Sequence, residues 1–196
     1  MSIALFIVKI LSRDIMSTIN EIDFNLKNNK IEESKRLLDS VNEKDNAEFK
    51  IIKAKLLYLT GKYQEVLDQF GSETNAGIKS WVFKANNAIN LLKSNNVSDT
   101  RKMISTYNFL FKESYLSKEI AINLINLQVN NKEFRQAKDI AQSLHEIYSS
   151  DTEIKKIYGH CLCLTSFYMK GIEILKDLNF NEAFKFEEIL KKYKDD

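Results

Sequence analysis

From Ile19 onward, apolar residues recur at steps of three and four, and no stretch of several residues alternates strictly between apolar and polar. The first pattern lays a stripe along one face of a helix, whereas a half-buried strand needs the second. Polar breaks fall at Asn28-Asn29-Lys30, Asn42 to Asn46, Thr60-Gly61-Lys62, Gly71 to Asn75, Ser94-Asn95-Asn96, Asn130-Asn131-Lys132 and Ser149-Ser150-Asp151. They divide the chain into segments of about 10 to 18 residues, ordinary helix lengths. The pattern predicts an all-α chain of about eleven helices joined by short turns.

The segments repeat. Phe134 and Tyr168 are 34 residues apart, and so are Ala137 and Gly171. In both cases an aromatic follows the turn and a small residue stands three positions later, where a second helix crosses the first too closely for a large side chain. A period of about 34 residues is that of a helix-turn-helix repeat unit.

The stretch Ala54-Lys55-Leu56-Leu57-Tyr58-Leu59-Thr60-Gly61-Lys62-Tyr63-Gln64-Glu65-Val66-Leu67-Asp68-Gln69-Phe70 resembles the tetratricopeptide (TPR) repeat family. Ala54, Gly61, Tyr63 and Phe70 match its small, turn-glycine and two aromatic positions, and Val66 stands where alanine is usual. A weaker unit runs from about Met16 to Val41, with Asn29 at the turn and Ser34 at the small position. Another runs from Trp81 to Phe111, with Ala88 at the crossing and an apparent insertion around Ser94-Asn95-Asn96. The family's first-helix tryptophan and closing proline are missing, and Trp81 lies near the former position but out of register. The resemblance implies a right-handed superhelical solenoid of antiparallel helix pairs, TPR-like, with about five repeats over residues 16–180.

Both ends need separate treatment. Residues 1–15 carry a short apolar patch, Ile3 to Val8 with Ile10-Leu11, far below the length of about 20 that spans a membrane. They are expected to form a leader or an extra helix. Thr18-Ile19-Asn20-Glu21 reads as a capping box, which puts the start of regular structure there. At the other end, 181–196 is expected to be a capping helix and tail. Ala183, Phe186, Ile189-Leu190 and Tyr193 form its apolar face, and Lys and Glu its outer face.

Composition changes this picture little. Apolar residues make up 44% and charged residues 29%, as in a soluble globular chain. Lys and Arg number 29 against 27 Asp and Glu and are spread along the chain, so no footprint for a phosphate backbone stands out and nucleic acid is not an expected partner. Proline is absent and glycine numbers only 5, so Asn, Ser, Asp and Lys must punctuate the helices. Two cysteines two residues apart make no disulfide framework and suit a reducing, cytoplasmic setting.

Candidate chemistry is sparse. His145 and His160 are the only histidines. His160-Cys161-Leu162-Cys163 has the look of a metal cluster, but on a helix Cys161 and Cys163 point about 200° apart and cannot share an ion. Packed cysteines near a repeat crossing are the expectation, with no metal and no cofactor. There is no phosphate-cradling glycine loop, zinc-protease helix motif or nucleophile elbow, and the chain is read as non-catalytic.

The TPR resemblance implies a concave face lined by the first helix of each pair, able to grip an extended or hairpin segment of another protein. One equivalent position on that face falls on Asp23, Lys55, Ile89, Asn126 and His160, with Tyr58 and Asn130 one turn later. Within that class, Lys53-Ala54-Lys55 through Gly61-Lys62-Tyr63, with Val66-Leu67-Asp68 and the closing Phe186 to Tyr193, is similar to the coatomer epsilon-subunit family, whose chains are longer. That likeness implies a scaffold role in vesicle transport, with the coatomer alpha subunit as partner on vesicle or Golgi membranes. A bacterial secretion chaperone of the TPR class is the alternative, although such chaperones are usually acidic. Self-association through the apolar N-terminal patch or an end of the stack stays open.

Overall fold

The computed structural model describes residues 3–42, 44–94, 99–181 and 183–188, with side chains from residue 15 onward. All regular structure among these residues is helical: α1 (Ile3–Lys27), α2 (Ile31–Ser40), α3 (Ala47–Leu59), α4 (Tyr63–Phe70), α5 (Ala76–Ser94), α6 (Thr100–Glu113), α7 (Lys118–Asn130), α8 (Phe134–Ile147), α9 (Thr152–Cys163) and α10 (Tyr168–Asp177). A final helical segment occupies 183–188. None of these helices is long and apolar enough to cross a membrane.

Several polar breaks end in side chains that start the next helix. Asn46 Oδ1 accepts from the backbone N–H groups of Glu48 and Phe49, at 2.8 and 3.3 Å, to open α3. Asn75 does the same for α5 through Gly77 and Ile78, Asp99 for α6 through Arg101 and Lys102, and Asp151 for α9 through Ile154. Each cap satisfies otherwise orphaned donors, an effect worth about 1 kcal/mol.

The tight turns share one geometry. The N–H groups of Lys30, Lys62, Glu133 and Phe180 donate to the carbonyls of Asn25, Leu57, Gln128 and Leu175, at 2.9, 2.9, 2.8 and 3.0 Å. One residue earlier, Asn29, Gly61, Lys132 and Asn179 donate to Leu26, Tyr58, Val129 and Lys176, each from a left-handed backbone with φ of 61°, 77°, 63° and 53°. This is the Schellman arrangement, which satisfies terminal carbonyls and reverses the chain. Five residues after the left-handed residue of the first three turns stand Ser34, Val66 and Ala137, all 0% exposed. The same turn followed by the same buried small position recurs in α1/α2, α3/α4 and α7/α8.

The chain divides into two compact units, 1–96 with 113–117, and 97–112 with 118–196. In the first, α1 packs on α2 and α3, α3 on α4 and α5, and α4 on α5. Its core includes Ile22, Leu26, Ile31, Phe49, Ala54, Tyr63, Val66 and Ile78. Ser34, the one polar small residue at a crossing, returns its hydroxyl to the Lys30 carbonyl at 2.9 Å. Within the second unit, α7 packs on α8, α8 on α9 and α9 on α10. Ala121, Ile125, Ala137, Ala141, Leu144, Ile154 and Leu162 form its core, with Phe111 of α6 against it.

The α9/α10 crossing explains Gly171. A Cβ there would lie 2.6 Å from Cys163 Sγ, 2.6 Å from the Gly159 carbonyl oxygen and 2.8 Å from the Cys163 nitrogen. The small residue 34 positions after Ala137 therefore stands where two backbones come closest.

One sequence expectation fails. Thr18 to Glu21 lie inside α1, which runs without a break from Ile3, so the capping-box reading does not mark a helix start. Residues 3–15 continue the same helix, and nothing between Ile3 and Thr18 is a breaker. In the closing segment Ala183 is fully buried and Phe186 half-buried, while Ile189, Leu190 and Tyr193 lie outside the described residues.

Candidate functional site

Two of the residues assigned to an equivalent first-helix position meet in the first unit. The Lys55 ammonium on α3 donates to Asp23 Oδ1 on α1, and Lys27 Nζ lies 2.8 Å from Oδ2. The Asp23 and Lys55 side chains keep 30% and 23% of their exposure, so the pair lies at a partly open surface. Burial pushes the Asp23 carboxyl up, but the hydrogen bonds from Lys27 and Lys55 outweigh it and hold the group below its ordinary 3.8. The neighbouring Phe24 is 62% exposed. Ile89 on α5 is half-buried.

Tyr58, one turn beyond Lys55, is buried rather than exposed. It is 3% exposed, with its ring centroid 5.3 Å from that of Tyr63 and 5.6 Å from that of Trp81. Lys84 Nζ lies 4.7 Å from the Trp81 centroid and 5.8 Å from that of Tyr58. The Tyr58 hydroxyl faces Glu113 Oε2 at 3.4 Å, and the Tyr63 hydroxyl donates to Ser114 Oγ at 2.8 Å. Burial raises both phenols, Tyr63 to about 12 and Tyr58 further, with Glu113 adding to the shift. They stay neutral, hydrogen-bonded and structural. The covering residues lie 55 and 51 positions along the chain from their partners, which no local pattern announces.

In the second unit Asn126 and Asn130 stand exposed on α7, one turn apart. His160 on α9 is half-buried, its ring edge-on to Phe180 and Phe186 at 5.9 and 6.0 Å. His145 stacks on Tyr158 at 5.2 Å, and its burial, with Lys155 nearby, disfavours the charged imidazole. Asn126 and Asn130 thus present their amide groups on the exposed side of α7.

Neither cysteine is fully exposed. Cys161 belongs to the core, and Cys163 Sγ sits at the crossing beside Gly171. Burial pushes the thiols up to about 12 and 11, which keeps them protonated and poor as nucleophiles or ligands. Among the described residues no three His, Cys, Asp or Glu side chains gather as a metal site would require.

No protein-family profile, curated protein or solved structure matches the chain.

Proposed function

We propose that the chain is a non-catalytic scaffold or adaptor subunit that holds a segment of another protein on the first-helix faces of TPR-like helix pairs. Within each unit the pairs are read as a right-handed superhelical stack, in which every pair supplies a wall that its neighbour lacks. The observation that carries the reading is the recurrence of one turn and one buried small position, with Lys55 and Asp23, equivalent residues of successive first helices, in contact. Contact residues are Asp23 and Lys55 in the first unit and Asn126, Asn130 and His160 in the second. Tyr58 supports this face from beneath.

The partner is an extended or hairpin segment of a larger subunit, held by a few side-chain pockets. The likeness to the coatomer epsilon subunit makes coatomer alpha the first partner to look for. Affinity purification from the protein's own cells tests this, comparing wild type with an Asn126→Glu/Asn130→Glu variant. A stoichiometric partner recovered by the wild type and lost by the variant is expected. Coat subunits would identify the partner, a secretion substrate would favour the chaperone role, and the absence of any stoichiometric protein would overturn the proposal.

A further inference from the structure

The exposed side of α6 carries two cations and an aromatic ring. Arg101, Asn108, Phe109 and Lys112 share one side of the helix with Ile104 at their base, and Glu133 at the start of α8 closes a cleft of about 490 Å³. Phe109 is 52% exposed, so its ring is open to a ligand in the cleft. Neither the Arg101 nor the Lys112 side chain has an ionic partner among the described residues, whereas Lys118, at the start of the next helix, binds both Asp151 and Glu153. The one acid in the cleft, Glu133, accepts instead from the Asn131 side-chain amide.

We propose that this cleft docks a short acidic segment of a partner protein, with one carboxylate at each end and a bulky apolar side chain between them. Arg101 and Lys112 are eleven positions apart, about 16 Å along the helix axis. An extended chain covers that distance in about five residues. Acids five positions apart therefore meet both cations at once, and the intervening side chains lie over Phe109 and Ile104. The cations give orientation and encounter rate, and the ring gives apolar contact area. Glu133 disfavours a uniformly charged ligand such as a polyphosphate backbone, because each of its groups would repel that carboxylate. The surface is on α6 and shares no residue with the proposed contact face of Asp23, Lys55, Asn126, Asn130 and His160, so it does not depend on that reading.

The test uses the full chain and the labelled probe peptide Asp-Ser-Leu-Leu-Ser-Asp, titrated at low and moderate salt by fluorescence anisotropy. The acidic peptide is expected to bind at least about fivefold more tightly than Asn-Ser-Leu-Leu-Ser-Asn, with the margin shrinking as salt rises. Arg101→Ser and Lys112→Ser should each weaken binding severalfold, Phe109→Ser should weaken both peptides, and Glu133→Gln should tighten the acidic one. These are surface positions, and circular dichroism checks that each variant remains folded. Equal binding of the two peptides, no binding of either at millimolar concentration, or indifference to Glu133→Gln overturns the proposal. Tighter binding of hexauridylate than of the acidic peptide would assign the cleft to nucleic acid instead.

Discussion

Lys55 on α3 and Asp23 on α1 form an ion pair across two helices of the first unit. The contact joins two positions that the proposed TPR-like reading makes equivalent. It also leaves the surface at Asp23 and Lys55 partly charge-compensated. Asp23→Asn should cost up to about 1 kcal/mol near neutral pH, because Lys55 loses its anion where both side chains are under one-third exposed, whereas the Lys27 side chain is 69% exposed and its pair is screened by solvent.

The sign with pH follows from the lowered Asp23 carboxyl. Its contribution is present above the ordinary value of 3.8 and is lost as pH falls through the lower folded-state value. Urea unfolding between about pH 6 and pH 3 should show the gap between wild type and Asp23→Asn closing at the acid end. A gap that stays constant would mean that the pair contributes nothing through ionisation.

Gly171→Ala places a methyl group 2.6 Å from a carbonyl oxygen and 2.8 Å from an amide nitrogen, neither of which can rotate away. Overpacking of this kind costs about 1–3 kcal/mol. Thermal unfolding should show a melting temperature lower by at least several degrees. An unchanged value would mean that α9 and α10 do not approach this closely.

The four left-handed turn residues differ in how comfortably they hold that backbone. Gly61 does so without strain, whereas Lys132 holds φ of 63° with a side chain attached. Gly61→Ala should destabilise by about 1 kcal/mol, and Lys132→Gly should stabilise by up to about the same amount. Denaturant midpoints moving in the same direction for both would contradict the shared turn geometry.

Gln128 and Asn25 occupy the turn position that Leu57 and Leu175 fill elsewhere, and both are almost wholly buried. Gln128 Oε1 and Asn25 Nδ2 have no hydrogen-bond partner among the described residues. Removing an unsatisfied polar group in favour of an apolar one of similar size is neutral or stabilising by about 1 kcal/mol. Gln128→Leu should therefore hold or raise the urea midpoint. A marked fall would mean that the amide has a partner.

Much of this architecture is legible in the chain because its signals are local. Asn46, Asn75 and Asp151 end polar breaks and are caps, and the pairing of Ala137 with Gly171 follows from steric need at two crossings. Thr18 misleads for the same reason: a capping box is a pattern of four residues, and it cannot register that a breaker-free helix precedes it. Tyr58 misleads differently. Its hydroxyl marks it as polar, but Glu113 and Ser114 return to the Tyr58–Tyr63 cluster from more than fifty residues away. The α6 cleft is not legible in the chain, because a face carrying Arg101, Phe109 and Lys112 reads as ordinary solvated surface.

A photo-crosslinking residue placed at Asn126 on α7, and in a separate protein at Gln142 on α8, tests the first-helix face most directly. Irradiation in the protein's own cells should give one discrete adduct from position 126, containing the polypeptide recovered by affinity purification, and none from position 142. An adduct from 142 alone, or the same adduct from both, would contradict the assignment of partner binding to the first helices.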